Sequence, residues 1–264
     1  MDRIEELIKR VRQLRPIDDA MFKKLAESKA VCQEILRVIL DDKKLIVEEV
    51  ISEDSIANIF GRAVRLDALC TLGNGTMCNI EIQKENVNDD VRRVRYNASS
   101  IVSRFSEKGQ KFSEIPNVIV VYISEYDVFK SGRTIYHIDS VIRETNTTVD
   151  DGLSRVFVNT QYADTDNSEV GELMKCFLQK EIDNKKFPEL SERLSYFKNN
   201  GKGVDSMCNI IKEYADERAA EMLIKYVDTL VETTGSVDKA CELLKITRKQ
   251  YDDAKALLEK TLTV

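Results

Sequence analysis

Proline and glycine are scarce in this chain, with three and ten among 264 residues. So few breakers, beside 33% charged residues, read as a soluble, mostly helical protein. No apolar run is long enough to span a bilayer and no signal-peptide pattern opens the chain, so no membrane role and a cytoplasmic location are expected. Internal repeats, low-complexity tracts, a Walker loop and a GxGxxG are all missing, which leaves repeat architectures and nucleotide-binding loops without support. The six cysteines (32, 70, 78, 176, 208, 241) include no CxxC pair, and several fall on apolar faces. Reduced core thiols fit that scatter better than disulfides or zinc ligands. The one histidine, His137 in the strand-like run TIYHID, has no second histidine or cysteine nearby and reads as structural. Net charge is −6, against a protein that coats nucleic acid non-specifically.

What the chain does have is a pattern at 62–84. Residues 64–72 alternate as a half-buried strand does, with Leu66, Ala68 and Cys70 on one face and Arg65, Asp67 and Leu69 on the other. Met77–Gln83 alternates too, with Asn79, Glu81 and Gln83 opposite Cys78, Ile80 and Ile82. Gly73-Asn74-Gly75 between them is a hairpin loop, and its length sets the register. A two-residue Asn74-Gly75 turn pairs Asp67 with Ile82. A three-residue loop, with Gly75 in the left-handed region, pairs Asp67 with Glu81 and Arg65 with Gln83. The second is the expected one.

Directly opposed residues have Cβ atoms about 5 Å apart, where like charges repel. Two carboxylates so placed need a cation or a shared proton. A hard divalent ion such as Mg²⁺ takes one or two carboxylates and leaves the rest of its shell open. Asp67 and Glu81 are therefore candidate metal ligands, with Gln83 beside them; two solvated acids on an exposed sheet face is the other reading. Downstream, residues 84–111 carry seven bases (84, 92, 93, 95, 104, 108, 111) against four acids (85, 89, 90, 107). That strip suits a phosphodiester substrate, and equally a solvated helix face.

R-L-D, then E-I-Q, then a helix with R-R-x-R-Y resembles the PD-(D/E)XK nuclease superfamily, and more narrowly its transposases related to recombination-promoting nucleases. Asp19–Leu25 (DAMFKKL), Gly109-Gln110-Lys111-Phe112, Val118–Ser124 followed by Asp127-Val128-Phe129, and Asp151–Gln161 extend the likeness over about 17–180. The resemblance implies an α/β fold: a restriction-endonuclease-like core of mixed β-sheet flanked by helices, here with an all-helical C-terminal extension. It implies DNA as partner, Mg²⁺ or Mn²⁺ as cofactor, and metal-assisted phosphodiester hydrolysis in transposition or recombination. Asp67 and Glu81, with the Ile82 carbonyl, would hold the ion. The superfamily places a lysine two residues after the acid; Gln83 stands there, as is usual in the nearer relatives, and an amide supplies neither charge nor a base, so its catalytic part would be to orient the water by hydrogen bonding. Lys84 points to the other face. The transition state's positive charge is left to a second metal, to Arg93, or to nothing. Arg93 and Tyr96 are the candidate phosphate contacts, with Asn97 standing where the family has a second tyrosine. Glu34, on a helix before the sheet, is an auxiliary candidate or a plain surface acid.

In order, the periodicity predicts helices over 2–14 and 29–40, with a short one opened by Asp18 or Asp19. Lys44–Ile51 reads as the first strand and Asp90–Glu107 as a helix whose N-terminal acid suits the dipole. VIVVYI at 118–123 reads as a strand buried on both faces, beside the hairpin after a helical crossover. Thr134–Val141 and Ser154–Val158 read as strands, Asp151-Gly152 as a turn and Ser168–Gln179 as a helix. Composition shifts after Phe187-Pro188, dividing a nuclease-like domain at 1–185 from a helical region at 186–264. There Leu190–Phe197 and Val204–Glu232 read as helices broken at Gly201–Gly203. The tail from Ser236 has a helix–turn–helix outline, but its six bases and five acids nearly cancel, which favours helix packing or a homodimer contact over DNA reading. Two alternatives stand beside the nuclease: a DNA- or partner-binding module without cleavage, and a protein that self-associates through its helical tail.

Overall fold

The central hairpin follows from its loop. A computed structural model of the protein describes residues 3–56, 64–86 and 88–263, side chains at 3, 53–56 and 260–263 excepted. Leu72 N–H donates to the Thr76 carbonyl at 2.9 Å and Gly75 N–H to the Leu72 carbonyl at 2.8 Å, closing a three-residue loop. Gly75 has φ +81°, a conformation that costs glycine nothing and other residues about 1–2 kcal/mol. The ladder then runs Thr71↔Met77, Cys70↔Cys78, Leu69↔Asn79 and Ala68↔Ile80, and it ends there, one residue short of Asp67 and Glu81.

These strands, β2 (Val64–Leu72) and β3 (Met77–Gln83), lie inside a mixed six-stranded sheet. Its other members are β1 (Val47–Ile56), β4 (Val118–Ser124), β5 (Ile135–Ile138) and β8 (Leu153–Asn159), in the order β1-β2-β3-β4-β8-β5. β4 runs parallel to both β3 and β8, in keeping with its continuous apolar run, buried at every position but the half-buried Ile119. The crossover from β3 to β4 is helix α4 (Asp90–Arg104).

Two apolar clusters cover the sheet. Ala68, Cys70, Leu72, Cys78, Ile80 and Ile82 face helices α1 (Arg3–Gln13), α2 (Asp19–Ala26), α3 (Lys29–Ile39) and α5 (Glu169–Leu178). Val64, Leu66, Leu69, Met77, Val120 and Tyr122 meet Val94, Ala98 and Ile101 of α4 on the other face. The first cluster continues through α6 (Pro188–Asn199) into α7 (Gly201–Thr234) with Leu194, Phe197 and Met207. A third, around Val227, Cys241 and Tyr251, joins the end of α7 to α8 (Val237–Leu243) and α9 (Arg248–Thr263). All six cysteines are buried and free. Among the described residues no helix is long and apolar enough to cross a membrane.

Several expectations shift. Leu66 does not share a face with Ala68 and Cys70: it packs with Leu69, so the alternation slips by one at Asp67. The first strand starts at Val47 rather than Lys44. Arg62, Ala63 and Asp2, drawn into elements by pattern, lie outside the described residues. Helix α4 ends at Arg104, three residues short of Glu107. Thr134–Val141 is two strands: β5 pairs with β8 as far as Ile138↔Arg155, and β6 (Ser140–Ile142) then pairs with β7 (Thr147–Val149) in a separate hairpin. Gly201–Gly203 is not the break. Helix α7 begins at Gly201, with the Asn200 side chain accepting the Lys202 N–H, and a Cβ on Gly203 would stand 2.2 Å from the Tyr196 carbonyl oxygen. That glycine lets α6 and α7 approach.

Candidate active site

Beyond Ala68↔Ile80 the two strands separate, and Asp67 fills the fork. Its Oδ2 accepts the Ile82 N–H at 2.9 Å, a donor that continued pairing would hand to the Leu66 carbonyl. Its own backbone N–H donates to the Glu81 carboxylate. The two acids are thus tied to each other's strands. Arg65 and Gln83, expected to pair one step further, do not: Arg65 turns to Glu217 on α7 at 3.1 Å, with its guanidinium over the Tyr214 ring. Gln83 turns to α4.

Glu81 is 5% exposed. Burial, and then the Asp67 carboxylate, push its pKa well above the usual carboxylate range, against the Asn79 amide, the Asp67 N–H and Arg93. The Asn79 Nδ2 donates to Glu81 Oε1 at 2.8 Å. Arg93 donates to Gln83 Oε1 at 2.7 Å and pairs with Asp89 at 3.5 Å. The Gln83 amide nitrogen donates to the Glu85 carbonyl at 2.8 Å, so both ends of that side chain are engaged. Helix α4 is anchored one turn earlier by the buried Asp90, which accepts the Tyr122 hydroxyl at 2.6 Å and the Tyr126 hydroxyl at 2.5 Å. Burial and these bonds raise both tyrosine pKa values. Tyr122 stands beside Glu81 in the parallel β3–β4 register, so one polar layer runs from Glu81 through Tyr122 to the start of α4.

Of the expected site residues, Asp67, Glu81, Gln83 and Arg93 come together. Tyr96 lies half-buried against the second apolar cluster. Glu34 is elsewhere: its two oxygens accept the N–H groups of Glu189 and Leu190 at 3.1 and 2.9 Å, capping α6. The cleft of about 480 Å³ around it is lined by Gln33, Arg37, Lys43 and Glu169, not by the acidic pair. Lys84 does point away, donating to Asp18 at 2.6 Å. Burial works against the Asp18 charge, but Lys84 and the Arg15 N–H outweigh it and hold that carboxyl below its usual range. Sequence reasoning missed Asn79, Asp90, Tyr122 and Tyr126 as parts of the site. Asn79 was within reach, a polar residue two before Glu81 on the same face. So was Tyr122, whose hydroxyl on an otherwise apolar buried strand needs a partner.

The donor set fits a hard divalent cation: two carboxylates, one of them buried, beside a fully buried amide oxygen, Asn79 Oδ1, with no hydrogen-bond donor. Among the described residues no group of three or more His, Cys, Asp or Glu side chains is placed to hold a metal. A pair of acids leaves most of the shell to water, backbone and substrate, which is how Mg²⁺ is usually held. A family model described as PD-(D/E)XK nuclease family transposase matches residues 16–260. No curated protein and no solved structure matches the chain.

Proposed function

The chain belongs to the PD-(D/E)XK nuclease family transposases, and from that membership we propose that it is a divalent-metal-dependent endonuclease that hydrolyses DNA phosphodiester bonds. The observation that carries the reading is the exchange at the end of the hairpin, where Asp67 accepts the Ile82 N–H and gives its own N–H to the Glu81 carboxylate, with Arg93 alongside. Asp67, Glu81 and the Ile82 carbonyl would hold Mg²⁺ or Mn²⁺. When bound, such an ion supplies positive charge for phosphate oxygens and brings the pKa of water toward 7.

The chain's own residues do the rest. The Ile82 N–H on Asp67, and the Asn79 and Asp67 N–H groups on Glu81, fix both carboxylates before substrate arrives. The Gln83 amide accepts one hydrogen bond from Arg93 and gives one to Glu85, which leaves a second N–H and a second lone pair to orient water. It also acts as a bracket that holds the Arg93 guanidinium near the place where a lysine would stand. Arg93 then supplies the fixed charge for the phosphate as the water oxygen bonds to phosphorus and the P–O ester bond breaks. Asp90, with Tyr122 and Tyr126, holds the helix that delivers Arg93, and Tyr96 is a further candidate phosphate contact. A transposase of this class acts on DNA.

Supercoiled plasmid with Mg²⁺ or Mn²⁺ is the test. Nicking or linearisation that disappears in Asp67→Ala and Glu81→Ala supports the reading; plasmid left intact by wild type and variants alike overturns it. Gln83 in place of lysine favours a second reading, a module of the same fold that binds DNA without cutting. Salt-sensitive DNA binding by a protein that never cleaves would support that one.

A further inference from the structure

Asn79 is fully sealed from solvent, on β3, two residues before Glu81 and on the same face. One end of its amide is used: Nδ2 donates to Glu81 Oε1 at 2.8 Å. The other end is not, because Oδ1 has no donor. A buried amide oxygen without a partner costs about 1–3 kcal/mol, and such groups are rare. Packing alone does not call for an amide here: Cys78, Ile80 and Ile82 fill the opposite face, and Met77, Val94 and Ala98 fill the apolar cluster on its own. A leucine has nearly the same shape without the penalty.

Among the described residues two hydrogen bonds orient the Glu81 carboxylate across this layer, one from the Asn79 side chain and one from the Asp67 backbone N–H. The second is shared by any residue at 67, so the side chain that selects the Glu81 rotamer is Asn79. The unpaired Oδ1 is the cost of keeping that donor on Glu81, a cost that an apolar residue of the same shape would not carry.

We propose that Asn79 is a positioning residue for the acidic pair, its Nδ2 fixing the Glu81 carboxylate in the orientation from which it would hold a divalent cation. The inference rests on the reading that Asp67 and Glu81 hold such an ion. Groups of this second layer commonly change metal affinity 10–100-fold when removed.

The test is Mn²⁺ binding by the full-length protein, followed by the electron paramagnetic resonance of free Mn²⁺, with the line shape of bound Mn²⁺ recorded at saturation. Asn79→Leu matches the shape and removes the Nδ2 donor; Asn79→Ser is carried in parallel should the leucine variant fail to fold. Far-UV circular dichroism and the metal-free melting temperature establish that each variant is folded. Wild type binding one Mn²⁺, with the folded variant about 10–100-fold weaker and its line shape altered, supports the proposal. Equal affinity and line shape in wild type and variant overturn it and leave the acidic pair standing. No Mn²⁺ bound by wild type overturns both.

Discussion

Glu81→Gln should stabilise the metal-free protein, although the residue is central to the site. Glu81 is buried and faces the Asp67 carboxylate, and its pKa is raised for those two reasons in that order. Like charges about 5 Å apart at an effective dielectric constant near 20 repel by about 3 kcal/mol, which sets the scale for this pair. The sign follows from proton binding. With the folded pKa above the unfolded value of about 4.3, the native state binds more protons than the unfolded chain, so stability falls as pH rises through that window. The glutamine variant lacks this loss. In EDTA, urea unfolding from pH 4.5 to 9 should show the variant near wild type at the acid end. It should be more stable by about 1–3 kcal/mol at the alkaline end. Mn²⁺ at 1,000 times its dissociation constant should reverse the order, since it adds about 4.1 kcal/mol to the wild type alone. A variant no more stable than wild type at any pH, or one stabilised by Mn²⁺ to the same degree, would refute the reasoning.

Arg93→Ala should lower plasmid cleavage by about 10²–10³-fold, and Gln83→Lys in the same chain should recover part of the loss by restoring a cation at the motif's usual place; no recovery would mean that Arg93 does not stand in for the lysine. Glu34→Ala should cost about 1 kcal/mol through the lost cap on α6, read by urea unfolding, with cleavage unchanged. Lys198→Met should cost about 3 kcal/mol or more, because the buried ammonium donates to the carbonyls of Arg12, Leu14 and Lys180, and its loss orphans all three. Burial lowers the pKa of that lysine to about 8 against the pull of Glu181 and Asp18. The unfolded chain therefore holds this proton more tightly, and the group's own contribution to stability should rise between pH 8 and 10.5.

The hairpin was legible because Gly73-Asn74-Gly75 and two period-2 runs leave few registers, and the parallel placement of β4 followed from VIVVYI and the intervening helix. The grouping of Asp67, Glu81, Gln83 and Arg93 was legible for the same reason: one loop and one crossover connect them. Other features depend on partners far away in sequence. Asp90 meets Tyr122 and Tyr126 across more than thirty residues, and Glu34 meets the start of α6 across 155. The slip at Asp67 was hidden because Arg65 and Asp67 keep the period of a half-buried strand, while Leu66, Ala68 and Leu69 are apolar whichever cluster they join. The splitting of residues 134–141 depended on how far β8 reaches, and Gly203 looked like a break when its role is to admit the neighbouring helix.

Crystals of the protein soaked in Mn²⁺ and recorded at a wavelength that reveals the metal test the central claim most directly. The expected result is one anomalous peak about 2–2.3 Å from an oxygen of both Asp67 and Glu81. A map with no peak between them, and the two carboxyl groups turned to opposite sides of the sheet, would contradict it.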